Sequence, residues 1–329
     1  MIIAQTPLRI SFAGGGTDFR EFWSDHGGGV VSSAIDKYIH VIIKERFDDL
    51  IVLNYSKREV VESVEEIQHE LIRESMKKTG VEKGLEITTL ADIPSKGTGL
   101  GSSSTVTVGL LHALYTYQGE LVTSQRLAEE ACEIEIDILG SPIGIQDQYI
   151  AAYGGLRAFD FRPDGRIAVE SCALTPWERL VLSSRLLLFY LDRQRKTSSI
   201  LEEQRGNIND RLDALCRMRD QAKYLSENLT GENLDLFGQI MHKGWLEKKT
   251  LARKVSNPEI DILYEMALDA GAMGGKVAGA GGGGFLLLYV PIGKQDKVRQ
   301  RLGHLRELPF MLETDGSKVI FNQRRSKWK

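Results

Sequence analysis

Apolar positions early in the chain fall at the two-residue spacing of strands. Residues 2–12, 30–35, 38–46 and 51–56 are rich in Val, Ile, Leu and aromatics and are broken by Gly or Asp turns, which predicts four strands. The spacing over 66–80 predicts a helix, and Leu85-Glu86-Ile87-Thr88-Thr89-Leu90 alternates as a further strand. Two helices follow. One opens at Ser102-Ser103-Ser104 and runs through Leu110, Leu111 and Leu114; the other is capped by Thr123 or Ser124 and runs to about Leu139. Segments 155–160 and 166–170 predict a hairpin around Pro163-Asp164-Gly165.

Around 172–183 the pattern resets. A buried strand over 185–191 opens what reads as a second domain, followed by helical stretches near 197–227, 232–253 and 258–270. A glycine-rich turn, the apolar run 285–290, a helix near 294–304 and a strand near 318–322 complete it. The mixture predicts an α+β fold of two domains, 1–180 and 181–329, in keeping with a length of 329 residues. The tail Arg324-Arg325-Ser326-Lys327-Trp328-Lys329 reads as a solvated end.

Charge narrows the function by exclusion. Lys plus Arg number 42 and Asp plus Glu 45, a net charge of −3, with no footprint for nucleic acid and no polybasic patch for anionic lipid. No apolar run approaches the roughly 18 residues of a membrane span, and residues 1–7 lack the basic start of a secretory leader. Cys132, Cys172 and Cys216 lie far apart with no CxxC, so reduced thiols and a cytoplasmic setting are expected. Glycine changes the picture more. Of 33 glycines, many gather in four clusters: Gly14-Gly15-Gly16, Gly27-Gly28-Gly29, Gly97/Gly99/Gly101 and 281–284.

The clearest chemical signal is Asp92-Ile93-Pro94-Ser95-Lys96-Gly97-Thr98-Gly99-Leu100-Gly101-Ser102-Ser103-Ser104, which follows a predicted strand and opens a predicted helix. Glycines free successive N–H groups to point at an anion, and the helix start adds unpaired amides and the positive end of its dipole. Pro94, Lys96, Gly97, Gly99, Leu100, Gly101, Ser102, Ser103 and Ser104 are therefore candidates to hold a nucleotide's phosphates, although no Gly-Lys-Ser/Thr makes this a P-loop. A dinucleotide reading of Ala13-Gly14-Gly15-Gly16-Thr17-Asp18-Phe19 fails because Phe19 stands where the third glycine is needed. Arg9, inside the first strand, needs an acidic or a phosphate partner. Glu135 and Asp147 flank a Gly/Pro turn that can bring them to one point, one as a magnesium ligand and one as a base, although spacing alone does not separate them from the neighbouring Glu129, Glu130 and Glu133. The run Gly274 to Phe285, glycine-rich before a buried strand, predicts close approach of backbone to another backbone or to a ligand. No zinc motif and no nucleophile elbow are present.

In order and spacing these segments resemble the GHMP superfamily of small-molecule kinases over nearly the whole chain. Residues 7–18 are similar to its first motif, 94–104 to its ATP loop and 276–285 to its glycine-rich third motif. The separation of Arg9 from Asp18 is similar to that in galactokinases, but Gly15-Gly16 replace the Glu-His pair found there. The segments Gln5 to Asp18 and Lys276 to Phe285 resemble more closely the bacterial D-glycero-D-manno-heptose 7-phosphate kinases. The resemblance implies an N-terminal ribosomal-protein-like βα domain and a C-terminal ferredoxin-like domain with the site between them.

It also implies roles. ATP would lie over 97–104, with Mg²⁺ bridging it to Glu135 and Ser103. Asp147 would take the proton of a sugar hydroxyl, and Arg9 would offset charge on the transferring phosphoryl group. Gly16, Thr17 and Asp18 would meet the sugar. For a sugar phosphate, Arg195 and Lys196 (with Arg193) are candidates to hold the far phosphate, as are Lys248 and Lys249. The enzyme would act as a monomer or homodimer on a sugar or sugar phosphate. A non-catalytic nucleotide or sugar sensor is the rival class, and Glu135, Asp147 and Arg9 speak against it.

Overall fold

The computed structural model describes residues 1–94, 97–192 and 197–323. Twelve strands form two sheets. In chain order they are β1 (Ile2–Ala13), β2 (Gly28–Glu45), β3 (Ile51–Asn54), β4 (Arg58–Val61), β5 (Leu85–Ala91), β6 (Leu156–Phe161), β7 (Ile167–Ser171), β8 (Leu186–Tyr190), β9 (Gly274–Val277), β10 (Phe285–Tyr289), β11 (Arg306–Glu307) and β12 (Lys318–Asn322). The first sheet runs β12-β1-β2-β5-β3-β4, with β6 added to β2 and β7 to β6. The second runs β11-β8-β10-β9 with every pair antiparallel. Its helices lie between first and second strands and between third and fourth, which is the ferredoxin-like arrangement the resemblance implied.

The predicted elements recur with informative differences. Residues 30–46 were expected as two strands because polar Asp36-Lys37 interrupt the apolar run; they form one strand, and the pairing with β1 slips there, Pro7 facing Tyr38 and Leu8 facing Ile35. The register slip places both residues in an extra loop of backbone without ending the strand. The long helix expected at 197–227 is broken into Thr197–Gly206 and Leu212–Asn228 by a short 3₁₀ turn, Asn209–Arg211. Helices Arg20–His26 and Pro176–Ser184 and strands β4 and β11 were not anticipated. The last strand does not stay with the second sheet: β12 returns to pair antiparallel with β1.

The two layers share one apolar core. Leu8, Phe12 and Ile35 of the first sheet pack with Phe237, Ile240 and Tyr289 of the second layer. Phe12 meets Phe237 edge-on at 4.7 Å between ring centres, a favoured aromatic geometry. This contact fixes the cleft that the site occupies.

Candidate active site

Between the layers lies a cavity of about 200 Å³. Its walls are built from chain segments that the sheets bring together. β1 supplies Arg9 and Ser11, and the turn after it supplies Gly15, Gly16 and Asp18. A glycine loop and the first residues of helix Ser102–Gln118 form another wall, with Gly97, Thr98, Gly99, Gly101, Ser102 and Ser103 facing inward. Gln146 and Asp147 come from the start of helix Gln146–Tyr153, Lys248 from helix Leu236–Leu251 and Lys276 from β9.

The glycine loop depends on backbone that other residues adopt at a cost. Gly99 has φ +74°, and a Cβ on it would stand 2.4 Å from the carbonyl oxygen of Ala278. Likewise a Cβ on Gly284 would be 2.5 Å from the carbonyl oxygen of Thr98. The third glycine segment therefore packs backbone against backbone on the loop, so its expected close approach is realised against protein. Gly101 caps the helix in the left-handed region, leaving the first helical amides to the cavity side.

Arg9, 4% exposed, is fully engaged. Its Nε donates to Asp147 Oδ1 at 2.7 Å and its Nη2 to Oδ2 at 2.8 Å, while Nη1 donates to the carbonyl oxygen of Gly99. One guanidinium thus joins the carboxylate to the glycine loop, the two-pronged geometry that arginine favours.

Asp18 is buried and accepts from the Gly16 amide at 2.9 Å and from Gln146 through its backbone N at 3.3 Å and Nε2 at 3.0 Å. Burial pushes its pKa up; the Gly16 amide pulls it back, and the Asp147 charge adds to the rise. Gly144 makes room for it, since a Cβ there would lie 2.0 Å from Asp18 Oδ2.

Glu135 sits in a widened π-helical turn, Glu133–Ile138, that continues helix Ser124–Cys132. Hydrophobicity alone would bury the isoleucine; instead Ile138 is 49% exposed and Glu135 1%. Such turns recur at functional sites. The carboxylate accepts from Ser104 Oγ at 3.2 Å and Gln148 Nε2 at 3.3 Å, with the Ser103 hydroxyl also in reach. Burial pushes its pKa up to about 7 against those hydrogen bonds.

Two comparisons decide the family. The model described as GHMP kinases N terminal domain matches residues 52–155, and that described as GHMP kinases C terminal matches residues 223–304. A D-glycero-alpha-D-manno-heptose 7-phosphate kinase of Campylobacter jejuni is 31% identical over 333 residues, covering 95% of this chain and 97% of the relative. The chain belongs to the GHMP kinases. It is accordingly a phosphotransferase, and GHMP kinases are ATP-dependent. The fold agrees. A solved D-glycero-D-manno-heptose 1-phosphate kinase from Bacteroides thetaiotaomicron superposes with a TM-score of 0.82 at 24% identity, covering 98% of this chain and all of that one. Streptococcus pneumoniae phosphomevalonate kinase in complex with phosphomevalonate and AMPPNP gives a TM-score of 0.75 at 16% identity, over 97% of this chain and all of that one.

In this GHMP kinase the cavity gathers Arg9, Gly16, Asp18, Gly97, Gly99, Gly101, Ser102, Ser103 and Asp147 from the residues singled out in the sequence. Glu135 and Ser104 lie one layer back, behind Ser103. Three assignments need correcting. Thr17 does not reach the cavity: its hydroxyl donates to the carbonyl oxygens of Gly14 at 2.8 Å and Gly29 at 2.9 Å and accepts from the Gly29 amide at 3.1 Å. Leu100 is core, and its carbonyl oxygen accepts from the Arg9 amide at 3.0 Å. Pro94 is exposed and outside the cavity wall. Lys249 turns away to Asp261 at 3.2 Å, whereas Lys248 lines the cavity and donates to the Gly279 carbonyl oxygen at 2.5 Å. Lys96, Arg193, Arg195 and Lys196 lie outside the described residues.

The sequence reading missed Ser11, Gln146 and Lys276 as site residues. Ser11 Oγ and Gln146 Oε1 are buried in the wall without hydrogen-bond partners among the described residues. Their only sequence signals were position: Ser11 stands two residues after Arg9 on one strand face, Gln146 adjoins Asp147, and Lys276 heads the third glycine segment.

Proposed function

We propose that this GHMP kinase transfers the γ-phosphoryl group of ATP to the anomeric hydroxyl of D-glycero-D-manno-heptose 7-phosphate, giving the 1,7-bisphosphate. The observation that carries the phosphotransfer chemistry is the Arg9–Asp147 pair, held at 2.7 Å in the same cavity as the glycine loop and Asp18. The heptose phosphate assignment draws on the 31% identical relative. Residues 1–180 would carry the nucleotide loop and 181–329 would bring Lys248 and Lys276 to the cleft, with β12 returned to the first sheet.

Phosphoryl transfer asks a protein mainly for positioning and charge. The loop 97–103 and its helix start offer amides and the Ser102 and Ser103 hydroxyls to nucleotide phosphates. Asp147 keeps lone pairs beyond those used by Arg9 and accepts the proton of the attacking hydroxyl. Arg9 offsets negative charge on the phosphoryl oxygens. Asp18, with the unpartnered Ser11 Oγ and Gln146 Oε1, reads sugar hydroxyls. Glu135 with Ser103 and Ser104 is an all-oxygen donor set, and the carboxylate has no cationic partner among the described residues, which fits Mg²⁺. That ion, when bound, neutralises charge on the nucleotide phosphates; one carboxylate suffices because phosphates supply its other ligands. Such ATP chemistry suits the cytoplasm.

The test is ADP release across a panel of sugars with and without a terminal phosphate. The heptose 7-phosphate should give the highest kcat/KM. Preference for fucose, galactose or the unphosphorylated heptose would overturn the substrate, and no ADP release with any sugar would overturn the sugar-kinase reading.

A further inference from the structure

Lys276 on β9 is 5% exposed, lines the cavity and makes no hydrogen bond or ion pair among the described residues. The charges around it are Lys248 and Arg9, of its own sign, and Asp18 and Asp147. Neither carboxylate is available to it. Asp147 gives both oxygens to Arg9, and Asp18 is taken by Gly16 and Gln146. A buried ammonium without a counter-ion is costly by several kcal/mol. What the inner wall lacks is an anion, and the opposite wall is the glycine loop with the start of helix Ser102–Gln118.

We propose that Lys276 is the cation that holds a phosphoryl oxyanion within this cavity, its ammonium donating to the phosphoryl oxygens. This rests on the phosphotransferase reading and deepens it. The oxyanion is either the terminal phosphate of the nucleotide or the acceptor's own phosphate; the two share the chemistry that Lys276 recognises. In the empty enzyme, burial, then the Lys248 and Arg9 charges, hold the Lys276 pKa well below the ordinary lysine value despite the Asp18 and Asp147 charges. The amine is then neutral when the cavity is empty and takes a proton from solvent as the oxyanion enters.

Isothermal titration calorimetry of wild type and Lys276→Met, at about pH 7.5 in two buffers of different ionisation enthalpy, counts those protons. One arm uses the β,γ-imido analogue of ATP with Mg²⁺ and the other heptose 7-phosphate. Glu135 releases a proton when it takes the cation, so the quantity read is the difference between the two proteins. In one arm wild type should take up more protons than Lys276→Met by about one, and the variant should bind that ligand about 10²-fold more weakly. The arm identifies which phosphate Lys276 holds. Thermal melting should show Lys276→Met folded and no less stable, because methionine removes a buried unpaired charge. No difference in proton uptake in either arm, or affinities equal to wild type in both, would overturn the proposal. If no sugar is phosphorylated the kinase reading falls, while the nucleotide arm still decides Lys276.

Discussion

Both carboxylate oxygens of Asp147 accept from the single guanidinium of Arg9, at 2.7 and 2.8 Å. The pair crosses from β1 to helix Gln146–Tyr153, so the orientation of the base is set by a strand distant from it in sequence. Asp147→Asn would turn an amide N–H₂ toward guanidinium N–H groups, donor against donor. Its kcat should fall by about 10²-fold or more with nucleotide affinity nearly intact. Steady-state kinetics beside a nucleotide-binding titration checks this, and unchanged turnover would remove Asp147 as the base.

Gly15 offers a cleaner probe of the sugar side. No positive φ is required of it, and a Cβ would stand at ordinary contact distance, 3.6 Å from Lys248 Nζ, 3.7 Å from Ser11 Oγ and 3.8 Å from Gln146 Nε2. Gly15→Ala should therefore fold and melt as wild type. The methyl group occupies space bordered by three polar groups, so KM for the acceptor should rise about tenfold while KM for ATP stays. Equal changes in both constants would place the acceptor elsewhere.

Thr17 separates framework from recognition. Thr17→Val keeps the shape but leaves the Gly29 amide without its acceptor. Stability should drop by about 1–3 kcal/mol, read from urea unfolding, with acceptor KM unchanged. A large KM effect at full stability would restore Thr17 to the sugar site.

Glu135 predicts a pH signature in metal-free buffer. Its pKa stands at about 7 in the folded protein against 4.5 ordinarily. Between those values the folded state holds a proton that the unfolded state has released, so stability falls as pH rises and levels off above about 7. Glu135→Gln removes that dependence. Its melting temperature should exceed that of wild type at about pH 8, by the equivalent of up to about 3 kcal/mol, and match it near pH 4. The same variant should lose the shift in melting temperature that Mg²⁺ with ATP produces in wild type. A pH-independent difference between the two proteins would show that burial does not control this carboxylate.

The sequence was most legible where one residue's chemistry depends on its near neighbours. The glycine loop and the serines that follow it show in order alone, as do the strands whose side chains alternate. Helix Pro176–Ser184 was readable too: Thr175 and Glu178 form a capping box with Pro176 at the first helical position, yet the short segment was passed over as an irregular stretch. What pattern does not reveal is partnership over distance. That Asp147 belongs to Arg9, that Thr17 spends its hydroxyl on Gly29, and that Lys276 faces the cavity are facts of how sheets stack. The Gly27-Gly28-Gly29 cluster shows the same limit. It looked like a turn between strands, but a Cβ on Gly28 would lie 2.2 Å from the Thr17 carbonyl oxygen, and one on Gly14 would lie 1.8 Å from the Gly29 carbonyl oxygen. These glycines let two backbones touch behind the sugar side of the cavity.

The return of β12 to the first sheet constrains how the enzyme can breathe. The chain passes between the layers once after β7 and again after β11, and the second passage is fastened where the Asp36 amide donates to the Met311 carbonyl oxygen at 3.0 Å and the Met311 amide donates to Asp36 Oδ1 at 2.9 Å. Beyond it the Met1 ammonium donates to the Gln323 carbonyl oxygen at 2.9 Å. A body joined by one link can swivel freely; one joined by two rotates about the line between them. Opening of the cleft is thereby limited to a jaw-like movement, which returns Lys276 to the same face of Asp147 in every catalytic cycle.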